Sequence, residues 1–164
     1  MSARRPTSGD VFELRLRDGR RVLGVVVAAG LTGPKAAPMR GSNLSYLLDP
    51  KRWTVGISDE RVEPRDLLLP PIYTNQRAWT QGYVRAVGRV EDVETRALRS
   101  HCFWDAGRQR FVDDHQRPVP VRTEPCGYWQ LVSTDWVDDQ VSDALGIERD
   151  PVTASPHAGA LPCG

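Results

Sequence analysis

The sequence predicts an α+β domain made mostly of antiparallel β-structure, a strongly curved sheet or small barrel with one C-terminal helix. Three observations carry this. From Val11 to Arg17 apolar and charged side chains alternate, the pattern of a strand buried on one face, and after an Asp-Gly pair a β-branched run over 22–29 returns as the second arm of a hairpin. Further short runs rich in β-branched and aromatic residues recur between Gly- and Pro-rich connections. One stretch alone, 135–145, carries apolar residues at helical spacing. With 164 residues, 40% hydrophobic and 26% charged, the chain suffices for one domain with a purely apolar core, needing neither metal nor disulfide. The expected organisation is a flexible lead-in over 1–8, a single domain over 9–149 and a disordered Ala/Ser/Pro/Gly-rich tail over 150–164.

In the first strand Phe12, Leu14 and Leu16 alternate with Glu13, Arg15 and Arg17. Asp18-Gly19 turns the chain, because glycine accepts the positive φ of a tight turn, and Val22 to Ala29 returns. Gly30 to Ser42 reads as a surface loop; its Lys35 is followed by Ala-Ala-Pro, so it lacks the Lys-Ser/Thr pair of a phosphate-binding loop. Leu44 to Leu48 and Trp53 to Ile57 are short strand candidates. Across Asp66 to Asn75, Pro70-Pro71 removes backbone donors and places the segment at a sheet edge. Gly82 to Val90 alternates again, with arginine on one face, and residues 91–100 give only a weak helical signal. His101 to Asp105 and Gln109 to Asp113 flank Ala106-Gly107-Arg108 as a hairpin, with Gly107 available for the special backbone position. A turn over Asp113 to Gln116 leads to extended Pro118 to Val121, and Tyr128 to Val132 is the last strand. In the helix, Trp136, Val137, Val141, Ala144 and Leu145 face inward, Ser133 or Thr134 caps the start, Gly146 ends it, and Asp138, Asp139, Ser142 and Asp143 form a solvated face.

Charge is nearly balanced, 22 basic against 21 acidic residues, so no global nucleic-acid steering field follows. Residues 1–82 are net basic and 83–164 net acidic, and the acidic half suits a basic partner. Three cysteines without a C-x-x-C spacing, and no apolar leader, fit a reducing cytoplasm. The run Val25 to Ala29 is far too short for a membrane helix. Three histidines and three cysteines without ligand pairs give no metal site, and Cys102 reads as a small core hydrophobe. No nucleophile elbow is present, and a hydrolase or isomerase requires His101 or His115 in a pocket beside a carboxylate. Arg15, Arg17, Arg20 and Arg21 around the first hairpin offer an alternative, a nucleic-acid-binding small β-barrel module, against which stands the lack of exposed aromatics between them. For a protein partner the candidate contacts are Asp138, Asp139 and Asp143, with Trp79 and Tyr73 as anchors.

The opening G-D-V-F-E-L-R-L-R-D-G-R-R-V-L-G-V-V-V, residues 9–27, resembles the start of the bacterial immunity protein 26 family, with its Gly-Asp-apolar-Phe strand, D-G-R turn and Gly-containing return strand. Residues 67–83, L-L-L-P-P-I-Y-T-N-Q-R-A-W-T-Q-G-Y, are similar to the Pro-Pro, Asn and Trp-x-x-Gly-aromatic stretch of the same group. The resemblance implies a cytoplasmic protein encoded beside a polymorphic toxin. Such a protein shields the producing cell by binding that toxin over its active site or substrate groove, with no catalysis and no cofactor. The family fixes no toxin-contacting residues by motif.

Overall fold

The computed structural model describes residues 4–33, 37–51 and 61–148. The expected strand Trp53 to Ile57, the tail from residue 150, His157 and Cys163 lie outside the described residues. Strand β1 (Asp10–Arg15) and β2 (Arg21–Leu31) form the hairpin expected, with Arg15 opposite Arg21 and Gly19 at φ +86° in the turn. β3 (Ser42–Leu47), β4 (Ile72–Thr74) and β5 (Val84–Arg89) complete an antiparallel sheet in the order β4-β3-β2-β1-β5. A second sheet, β7-β6-β8, pairs β6 (Cys102–Asp105) antiparallel with β7 (Arg110–Val112) and parallel with β8 (Cys126–Tyr128). Short helices α1 (Arg77–Thr80) and α2 (Val93–Arg96) interrupt the strands, and α3 (Thr134–Ala144) follows them.

The architecture is therefore α+β with mostly antiparallel strands, but the five-stranded sheet does not close into a barrel. Its β4 edge is the Pro-Pro segment at the margin, three residues long, and Tyr73 there bridges in parallel to Leu131 instead of meeting β5.

Both faces of this sheet are covered, which explains the apolar run in β2. Phe12, Leu14, Leu16, Val22 and Val26 point to one side, where Val137 and Val141 of α3 and Trp79 of α1 cover them. Val11, Val25, Val27, Leu44 and Tyr46 point to the other, against Phe103 and Val112 of the second sheet. Gly24 permits this packing, since a Cβ there would sit 2.3 Å from the Phe12 ring and 2.7 Å from the Tyr46 carbonyl oxygen. Gly127 does the same in β8, where a Cβ would lie 2.3 Å from the Pro71 carbonyl oxygen.

Smaller expectations shift. In the β6–β7 connection Gln109, not Gly107, adopts the positive φ, at +52°. The last strand is Cys126–Tyr128, three residues long, and the chain beyond it is tied to β4 by the Tyr73–Leu131 bridge. Residues 93–96 do form a helical turn.

Candidate functional site

Helix α3 begins where the sequence places it. Ser133 caps it, its Oγ accepting from the Trp136 N–H at 3.2 Å, and Gly146 follows it at φ +68°. Val137 and Val141 face the sheet. The polar side differs from the solvated face expected: Asp139 and Ser142 are buried, and Asp138 keeps 19% of its side chain exposed. The cause is Arg17, just past β1. Its Nε donates to Asp138 Oδ2 and its Nη2 to Asp139 Oδ1, both at 2.6 Å. A guanidinium fork that pairs with one oxygen of each of two carboxylates lets the helix settle deeper than an unpaired acidic face would allow. Asp143 stays on the exposed side.

The two aromatic candidates lie inside the protein, on opposite faces of the five-stranded sheet. Trp79 packs edge-to-face on Phe12 with ring centroids 5.6 Å apart and lines an apolar cleft with Leu14, Ile72, Val84, Val132 and Val137. Tyr73 is fully buried between the sheets, its ring 5.0 Å from Phe103 and 5.3 Å from Trp129, and burial pushes its phenol well above the usual range. Asp138 and Asp139 thus come together through Arg17, Trp79 sits beneath α3, and Tyr73 is separated from both by the sheet.

The histidines do meet a carboxylate. Tyr46 Oη lies 2.5 Å from His101 Nε2 and accepts from the Leu98 N–H at 3.1 Å. His101 Nδ1 lies 3.4 Å from Asp114 Oδ2, and His115 Nε2 lies 4.0 Å from the same oxygen. The Asp114 carboxylate only accepts, so Nδ1 facing it carries the proton, and in the neutral imidazole Nε2 then accepts from the Tyr46 hydroxyl. The hydrogen bond from His101, opposed by partial burial, holds the Asp114 carboxyl below the ordinary range. Tyr46, the hydroxyl of this trio, is fully buried, and burial pushes its phenol up. The trio joins β3, the approach to β6 and the loop after β7, so it ties the two sheets together. Nearby, Cys102 and Cys126 are buried in register on the parallel strands, their Sγ atoms 2.7 Å apart.

The arginine set is dispersed. Arg17 is committed to α3, Arg20 pairs with Asp18 at 2.6 Å, and Arg21 shares Glu13 with Arg85, each at 3.3 Å. Sequence reasoning missed Arg85 and Arg89 as members of this charged corner. The alternating pattern over 82–90 showed an arginine face, but only pairing of β5 with β1 brings it beside Glu13 and Asp10. Arg17 carried no local signal, since its partners are more than 120 residues away.

Among the described residues no helix is long and apolar enough to cross a membrane. No curated protein and no solved structure matches the chain. The family model described as Immunity protein 26 matches residues 7–112, from the approach to β1 through the end of β7. That span holds the entire five-stranded sheet and more than half of the sequence, and the chain belongs to the immunity protein 26 family.

Proposed function

We propose that this chain is the immunity component of a bacterial polymorphic toxin system, binding its cognate toxin in the cytoplasm and neutralising it without chemistry of its own. The observation that carries this reading is family membership over the whole five-stranded sheet. The local chemistry supports it, since Tyr46, His101 and Asp114 are occupied with one another and the hydroxyl is buried. A domain with both sheet faces covered meets its partner as a preformed surface, which limits the ordering cost of association.

The exposed flank of α3, with Asp135, Asp143 and the accessible part of Asp138, offers negative charge to a basic toxin surface and speeds capture. In this reading Asp139, Trp79 and Tyr73 act from beneath: Asp139 fixes α3 on Arg17, and the two aromatic rings fix the sheet that carries it. The test is co-expression with the product of the neighbouring gene. Growth rescue and recovery of a stable complex are expected; absence of both overturns the reading.

A further inference from the structure

The five-stranded sheet has one edge that nothing among the described residues pairs with. At the β4 edge, Tyr73 bridges to Leu131. At the other, β5 is six residues long, contains no proline, and Arg85 to Arg89 are all exposed. Of the four large hydrophobic residues that stand exposed among the described residues, two belong to this strand and its approach: Tyr83 at 51% and Val87 at 45%.

The direction of the free hydrogen-bonding groups follows from the register. In the β1–β2 hairpin the Leu16 N–H donates to the Arg20 carbonyl, so the hydrogen-bonded pairs recur in twos at Leu14–Val22 and Phe12–Gly24. Phe12 therefore turns its backbone groups to β2. Its partner on the other side, Ala86, stands in a non-hydrogen-bonded pair and turns its N–H and C=O away from β1, to the open edge.

Charge decides what such an edge accepts. Around it stand Arg4, Arg21, Arg85 and Arg89 against three carboxylates, Asp10, Glu13 and Glu91. A second copy pairing antiparallel through the outward-facing Val84 and Ala86 sets Arg85 opposite Arg85 of that copy, a like-charge contact that disfavours self-association in that register. The register skip that leaves Val87 without a partner in β1 bends the edge and further discourages indiscriminate pairing. Arg85 shares a face with Glu13 and Arg89 shares the opposite face with Asp10, so an extended segment with carboxylates on both of its faces meets neither like charge nor a covered ladder.

We propose that β5 is a docking edge, to which an extended acidic segment of the toxin adds as a sixth strand, its backbone pairing with the open side of β5 and its side chains meeting Arg85 and Arg89. This rests on the toxin-binding reading above. The full chain is titrated with the toxin domain of the neighbouring gene, comparing the natural sequence with Ala86→Pro and with the double reversal Arg85→Glu, Arg89→Glu. Ala86→Pro removes a donor from the open side and no bond to β1, and each variant is expected to weaken binding about tenfold or more. In the natural complex the Ala86 amide becomes protected from hydrogen exchange. Where Ala86→Pro fails to fold, judged by circular dichroism, the double reversal decides.

Equal binding by the natural and variant chains overturns the docking edge and leaves the toxin reading standing. No binding by the natural chain overturns the toxin reading and the proposal with it. A dimer in sedimentation that Ala86→Pro dissolves overturns it in favour of a second copy. Salt-sensitive RNA binding abolished by the double reversal, with toxin binding unchanged, overturns it in favour of nucleic acid.

Discussion

Replacing Arg17 with alanine tests how α3 is held. The guanidinium bridges Asp138 and Asp139, and the Asp139 side chain is fully buried, so truncation leaves that carboxylate without its fork. Breaking a buried pair from one side costs about 3–5 kcal/mol. Here water reaches part of the site, because the Arg17 side chain is 26% exposed and that of Asp138 19%, so we expect about 2–3 kcal/mol. For a chain of this size that lowers the melting temperature by roughly 4–12 °C. Arg17→Lys keeps the charge but cannot donate to both carboxylates in fork geometry, and falls between the natural protein and Arg17→Ala. The assay is thermal unfolding by circular dichroism, with a double-mutant cycle against Asp139→Asn to isolate the coupling. A melting temperature for Arg17→Ala within about 1 °C of the natural protein refutes the account of α3 as a helix seated on that guanidinium.

Three further outcomes follow from the packing and the titrating groups. Gly127→Ala pushes a methyl group against the Pro71 carbonyl oxygen and the Phe103 ring, and is expected to cost about 2–3 kcal/mol, read as a lowered denaturation midpoint. Asp114 has its pKa lowered by the hydrogen bond from His101, so its stabilisation is fully present above the unfolded value near about pH 4 and is lost as pH falls through the folded one. Asp114→Asn should therefore be less stable than the natural protein at pH 7, with the gap closing on acidification; a gap independent of pH counts against the pairing. Cys102 and Cys126 are buried, and burial first, then the Cys102 contact, pushes the Cys126 thiol up. Peptide mapping after iodoacetamide treatment should find both unmodified in the native protein and both alkylated in urea.

Much of the fold was legible because its signals are local. Phe12, Leu14 and Leu16 alternate, Asp18-Gly19 turns, Ser133 and Gly146 bracket α3, and Pro70-Pro71 marks a sheet margin; each is a statement about a few adjacent residues and the backbone they permit. The buried state of Asp139 was not legible. A helix face with Asp138, Asp139, Ser142 and Asp143 reads as solvated until the counter-charge that buries part of it is known, and Arg17 lies at the far end of the chain. Tyr73 and Trp79 illustrate the same limit, since aromatic residues near prolines and polar loops suit a surface or a core equally, and burial depends on which sheet or helix arrives to cover them.

The sequence by itself determined the class of protein: antiparallel strands, one substantial helix, and the two stretches that resemble the immunity protein 26 family and lie within the span matched to it. Tertiary structure alone decided which surfaces are free. Openness of the β5 edge, the Arg85–Glu13 contact, the Tyr46–His101–Asp114 trio and the seating of α3 on Arg17 all join residues far apart in the chain. Periodicity records which residues share a face of one element; it carries no record of the element that packs against that face, and the accessible surface is what remains after that packing is complete.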